Sequence, residues 1–401
     1  MRHSNGNTRI GANAIVTFST IAFAALIVIT LTARDAAALP EQVLIAGGDA
    51  IAGPSPPSLI STAELYDPKS GSFSRTLGNM NDEHFASLAT RLRNGNVLFT
   101  GGGLNGDEFN AKSELYDPAT QRFIDLGNAQ GRGVHVSELL KSGDVLVAGG
   151  AICCLSLSYR ADAELFDPKS SRFTATGSMS ITRAAAQSEV LANGQVLVAG
   201  GLTGMGSFPG FETTSSTELY DPKTGAFNPT GSLPAATAGG TATLLNNGQV
   251  LIAGGTGTLG ATNAAELYDP MTGTFAATGN MLVARANSPV DSLFGTAYTA
   301  TLLKNGQVLM AGGVDSTSGT RIDSAELYNP KTGQFTATGN LTTPRAGHTA
   351  TLLANGDVLI ACGDAVGNAA ELYHPETGTF SPTGNLTTAR PSNPAAVLLG
   401  P

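Results

Sequence analysis

The chain has 401 residues, 50 of them glycine, and 31 acidic against 22 basic side chains give it a net charge of −9. A chain this acidic, with no basic stripe, repels phosphate backbones, which excludes nucleic acid as a partner class. Three cysteines, two of them adjacent (Cys153 and Cys154), make no disulfide framework.

Arg2 and Arg9 precede an uncharged stretch from Ile10 to Ala33, and Ala36 and Ala38 form an Ala-x-Ala exit. This grammar predicts a secretory signal, although the apolar part is also long enough to span a bilayer. Residues 1–38 are therefore expected to be a signal peptide or a retained membrane anchor helix. Residues 39–401 are expected to be one domain outside the cytoplasm, either secreted or in the periplasm or cell envelope. The exported part is the more acidic one, since Arg2, Arg9 and Arg34 are opposed only by Asp35 in the leader.

From Val43 onward one phrase recurs seven times, an apolar run ending in Gly-Gly. It begins at Val43, Val97, Val145, Val196, Val250, Val308 and Val358, and in the last copy Cys362 replaces the first glycine. A second phrase follows each copy, of the form Glu-Leu-Tyr-Asp-Pro, starting at Glu64, Glu114, Glu164, Glu218, Glu266, Glu326 and Glu371. A phenylalanine stands seven residues beyond each aromatic of that phrase, from Phe73 to Phe380. A period near 50 residues is the mark of a repeat architecture.

Each repeat is predicted to hold four short strands. The first is typified by 348–353 and turns at Asn355-Gly356, a pair suited to a two-residue type I′ hairpin. The second is the Val-led run, the third carries the glutamate and tyrosine, and the Asp-Pro-x-x-Gly turn delivers the fourth. The second strand is apolar on both faces, so its sheet needs a neighbour on either side. Radially packed blades supply that arrangement. The first repeat lacks a first strand, and the last segment, 390–399, aligns with 345–354. The C-terminal strand is thus expected to complete the blade begun at the N-terminus and to remove the open edges of the ring. The fold class predicted is all-β, a seven-bladed β-propeller closed by its C-terminal strand.

With its Gly-Gly after the second strand, the tyrosine of the third and the aromatic of the fourth, the chain resembles the bacterial kelch-repeat family of galactose-oxidase-like propellers over residues 43–401. In that family the last aromatic is usually tryptophan, and here it is phenylalanine seven times. The resemblance implies a kelch-type propeller that binds partners on the rim carrying the second–third loops and the fourth-to-first connections. Those loops vary widely here (49–62, 103–112, 151–162, 202–216, 256–264, 314–324 and 364–369), and the connection 278–297 is long. A rigid scaffold with one variable face is a usual carrier of binding sites.

The candidate rim residues are charges that break the repeat. Asp315, Asp364, Asp49, Asp107 and Glu108 follow the second strand in neighbouring blades, joined by Asp82 and Glu83, an acidic arc suited to Ca²⁺ or a cationic partner. Arg285, Arg345 and Arg390 are expected on the same rim, where they would neutralise it. The seven repeated glutamates are expected to serve the blade, bonded to neighbouring backbone or arginine. Glu138 and Glu189 stand where sibling first strands have threonine (Thr243, Thr301, Thr351), and two carboxylates near a channel are suited to an acid–base pair. Galactose oxidase chemistry, as the resemblance implies it, needs two tyrosines, two histidines, a crosslinked cysteine and a tryptophan, and nothing here carries over residue by residue. The function expected is a non-catalytic, monomeric binding module for a protein, peptide or glycan, with no cofactor assigned and membrane contact only through residues 1–38. The alternatives are a galactose-oxidase-like or lyase-like propeller enzyme, with or without a metal, and a structural envelope component.

Overall fold

The computed structural model describes residues 40–49, 59–84, 87–102, 104–105, 108–109, 112–128, 131–152, 158–205, 211–257, 260–285, 298–315 and 318–400. The expected signal or anchor over 1–38, and Cys153 and Cys154, lie outside the described residues. No helix among the described residues is long and apolar enough to cross a membrane.

Seven four-stranded antiparallel sheets are present. Six run in chain order, and the seventh joins the chain ends: Ala395–Leu399 pairs with Gln42–Ala46, followed by Ala63–Asp67 and Ser72–Arg75. The first strand of every blade packs against the first strands of both neighbours, so these strands ring the axis. The chain is therefore an all-β, seven-bladed propeller closed by its C-terminal strand. Closure pairs Val43 with Leu398 and Ala46 with Ala395.

The second strands show why the sheets stack. Leu44 and Ala46 pack into the seam with Val97, Phe99 and Tyr116 of blade 2, while Val43 and Ile45 of the same strand pack against Leu359 and Ala361 of blade 7. Both faces are thus removed from water, at about 1.5–3 kcal/mol for each large aliphatic side chain. The aromatic of each third strand lies on the phenylalanine of the fourth with ring centroids 4.8 to 5.0 Å apart. In five seams the tyrosine hydroxyl reaches a threonine of the preceding blade, as in Tyr220–Thr176 and Tyr373–Thr338. Phe166 has no hydroxyl, and the residue facing it is Leu126, so the hydrogen-bonded pair is replaced by an apolar one.

The first turn differs from expectation. Leu92 N–H donates to Asn96 O, Gly95 N–H donates to Leu92 O, and Gly95 alone has positive φ, at 90°. This is a three-residue loop ending on a left-handed glycine, and a type I′ turn would require positive φ at Asn94 too. The Asp-Pro turn behaves as read: Asp67 Oδ1 accepts Lys69 N–H, and Gly71 takes φ of 64°. Among the second–third loops, three form small hairpins of their own: Leu104–Asn105 with Glu108–Phe109, Leu202–Met205 with Phe211–Thr213, and Thr256–Gly257 with Gly260–Ala261.

Candidate functional site

The charged residues of the repeat build the seams between blades. Arg183 is fully buried and reaches Gly200 O at 2.8 Å, Ser216 O at 2.7 Å and Glu218 Oε1 at 2.9 Å. Arg345 makes the same contacts to Cys362 O, Ala369 O and Glu371, the last at 2.6 Å. Arg285 with Glu326, Arg132 with Glu164 and Arg390 with Glu64 repeat the theme, and His84 Nε2 takes the place of the guanidinium beside Glu114 at 2.9 Å. The glutamates therefore serve the blade, as expected. The arginines need correction. Arg285, Arg345 and Arg390 are each 0% exposed and are not ligand-facing rim residues. A guanidinium is held there because its fork of donors satisfies two carbonyls and a carboxylate together.

The acidic arc is also changed. Asp364 is buried, accepts Val366 and Gly367 N–H, and lies 3.5 Å from Arg345. Asp49 is buried, with its backbone bridged to Leu59 and Ser392. Asp315 Oδ1 accepts the Ser318 N–H and hydroxyl and so shapes its own loop. Asp82 pairs with Lys112 at 2.8 Å. Asp107 lies outside the described residues, and of Glu108 only the backbone, within its short strand, is described. Asp49, Asp82, Asp315 and Asp364 are thus engaged within their own loops or with neighbouring residues, Glu83 is exposed, and no group of three or more His, Cys, Asp or Glu suited to a metal ion occurs among the described residues. Cys362 is a small buried residue, as expected, but it takes φ of 68°, a backbone shape its glycine siblings adopt without a Cβ.

What the fold does bring together is the wall of the axial channel. A cavity of about 430 Å³ is lined by the first strands of the ring, with Glu138, Ser137, Ser188, Gln187, Thr241 and Thr299 on its wall. Glu138 pairs in register with Leu146 and Glu189 with Leu197, the same place in adjacent blades. The Ser188 hydroxyl donates to Glu138 Oε1 at 2.7 Å, and Leu244 N–H donates to Glu189 Oε2 at 3.2 Å. Burial pushes the Glu138 carboxyl up to about 7, and the charge of Glu189 pushes the same way. Burial pushes Glu189 up to about 6. The result is two carboxyls in adjacent blades, Glu138 on the cavity wall and Glu189 beside it, both raised toward neutrality mainly by burial.

Two histidines also border this cavity. His135 Nε2 is bonded to the Thr100 hydroxyl at 2.8 Å, and His348 Nε2 to Thr299 at 3.0 Å. Burial, with Arg132 beside His135 and with Arg345 and Arg285 near His348, brings each imidazole down to about 3, so both are neutral at pH 7. Each packs edge-on over a glycine: a Cβ on Gly101 would meet His135 Cε1 at 2.5 Å, and one on Gly312 would meet His348 Cε1 at 2.7 Å. Tyr298, fully buried, donates its hydroxyl to Ala253 O at 2.5 Å.

Fold and site together define a seven-bladed propeller with a polar, carboxyl-bearing axial cavity. No family model matches the chain, and no curated protein matches it. Among solved structures it is similar to a fungal alcohol oxidase of the AA5 family determined in complex with copper. The match has 21% identity and a TM-score of 0.62 over 82% of this chain and 69% of that one. At that identity the likeness is one of fold.

The copper of that neighbour can be tested against the residues here. His135 and His348 have their Nε2 atoms bonded to threonine hydroxyls, and their Nδ1 atoms, buried without a hydrogen-bond partner among the described residues, are in separate blades beside Gly101 and Gly312. Burial drives the Tyr298 phenol far above its ordinary range, against formation of the phenolate a copper ligand would be. Cys362, the one described cysteine, is fully buried, with its thiol pushed up to about 12. The described residues do not fit a copper centre.

Proposed function

We propose that this chain is an extracytoplasmic kelch-type propeller that takes a saccharide-sized, hydroxyl-bearing molecule in its axial cavity and performs acid–base chemistry on it through Glu138, with Glu189 beside it. The observation that carries this reading is the Glu138–Glu189 pair, whose first member titrates near 7 on the wall of the cavity. A carboxyl poised at the working pH is what a general acid or base requires. The cavity volume falls within the range of small-molecule sites, about 300–1,000 Å³. Its wall presents hydroxyls of Ser137, Ser188, Thr241 and Thr299, which complement a polyol better than an apolar ligand. The extracytoplasmic placement rests on the leader-like residues 1–38.

The test is calorimetric titration of a panel of mono- and disaccharides into residues 39–401 and into Glu138→Gln, in buffers of different ionisation enthalpy, with product analysis on any binder. Binding that carries a proton uptake or release near pH 7, lost in E138Q together with any turnover, is the expected result. Binding of equal strength and equal proton count in E138Q would remove Glu138 from the site. A second reading, a binding module acting through its rim, is favoured by the hairpin-bearing second–third loops. Partner capture that survives E138Q but not exchange of the 202–216 loop would support it.

A further inference from the structure

The seven seams share one backbone plan, and one of them departs from it twice. In every seam the second glycine of one blade donates its N–H to the carbonyl of the residue that opens the next approach to the axis. These carbonyls belong to His84, Arg132, Arg183, Thr237, Arg285, Arg345 and Arg390. Five are arginines and one is histidine, and each places a side-chain nitrogen on the repeat glutamate of the blade that follows. Thr237 has no cation to offer, and its hydroxyl lies 3.5 Å from the Gln187 side chain instead.

The second departure is three residues earlier. At five seams a backbone N–H from this stretch donates to the same glutamate: Asn81 to Glu114, Ser180 to Glu218, Leu282 to Glu326, Thr342 to Glu371 and Thr387 to Glu64. The residue at that place before Thr237 is Pro234, which has no N–H. Glu266 has lost both of its partners, and it accepts no hydrogen bond among the described residues. Its six siblings are 9% exposed or less, whereas Glu266 is only half-buried and reachable from solvent. Burial alone raises its carboxyl, with no cation to oppose the shift. The remaining oxygens of the plan are kept: Gly254 N–H still donates to Ala264 O, as Gly200 N–H does to Ser216 O and Gly312 N–H to Ser324 O. In those two sibling seams the corresponding carbonyls receive a guanidinium.

We propose that the seam between blades 4 and 5 is a guanidinium-recognition site, in which Glu266 and the carbonyls of Gly254 and Ala264 receive an arginine side chain presented by another polypeptide. The class of ligand follows from the protein's own solution at four other seams, where the same three oxygens hold Arg132, Arg183, Arg285 or Arg345; at a fifth, Arg390 takes Gly47 O and the Thr62 hydroxyl beside Glu64. A guanidinium satisfies all three at once, whereas an ammonium, a point charge, matches the fork less well. The site is separate from the axial cavity and does not depend on chemistry there.

The test compares thermal unfolding of residues 39–401 with rising Nα-acetyl-arginine amide and, in parallel, Nα-acetyl-lysine amide. The arginine compound is expected to raise Tm by a few degrees in a saturable manner, the lysine compound by less than half as much. The response is expected to vanish in Glu266→Gln. In Thr237→Arg, where the chain supplies its own guanidinium, Tm is expected to be higher without ligand and the response again lost. An equal response in the parent and E266Q, an equal response to both amides, or no saturable response in the parent would each overturn the proposal.

Discussion

Glu138 is the residue whose titration reports most directly on the folded channel. Folded, it keeps its proton to about pH 7; unfolded, it loses it near the ordinary 4.5. Between those limits the folded state binds more protons than the unfolded, so this group's contribution to stability falls as pH rises. Below about 4.5 the penalty is absent, and above about 7 it is complete. Glu189, raised to about 6, acts in the same direction over a narrower window. Glu138→Gln is therefore expected to melt at the parent's temperature at pH 4 and several degrees above it at pH 8, a gain of about 1–2 kcal/mol once water in the channel is allowed for. Melts at the two pH values check this, and a pH-independent difference would mean that packing, not charge, separates the variants. The pair was legible in the sequence because it breaks a threonine position of the repeat. Its shift was not, since desolvation depends on how closely seven strands crowd one axis.

At the scale of the seam, the repeat glutamates and their arginines form one unit. Arg345→Ala leaves Glu371 buried and its charge unpaired, with the Cys362 and Ala369 carbonyls stripped of donors. A loss of about 3–5 kcal/mol is expected from breaking a buried pair. Arg345→Lys should recover part of it, and the double variant Arg345→Met, Glu371→Gln more, because no isolated charge then remains. Urea unfolding of the parent, Arg345→Met, Glu371→Gln and their double variant as a double-mutant cycle gives the coupling directly; additive effects would deny the unit. The glutamates were readable as structural because every blade has one. The arginines were misplaced on the rim, although five of them recur at a fixed place before the first strand. A loop residue reads as exposed until the neighbouring blade that buries it is known.

For the whole molecule the decisive element is Ala395–Leu399, the strand that pairs the C-terminal end of the described chain with Gln42–Ala46. Removing residues 391–401 exposes the inner edge of Gln42–Ala46 and the apolar flanks that Val397 and Leu398 cover. An unpaired apolar edge invites pairing with another chain. The truncated protein is expected to lose its cooperative melt and to elute as aggregate in size-exclusion chromatography. A monomer with the parent's Tm would show that the other six blades hold the ring unaided.

The sequence by itself determined the number of blades, the order of strands and the closure. These follow from hydrophobic period, turn chemistry and a missing strand at one end, all of which are local or repetitive signals. Only the tertiary structure decided which charges meet. Asp364 beside Arg345, Glu138 beside Ser188 of the next blade, and Glu266 with no hydrogen bond among the described residues are set between blades, about 50 residues apart, or by a loop's fold. Their energies depend on burial and on donor geometry across the seam, and neither quantity is written in the order of residues along one strand.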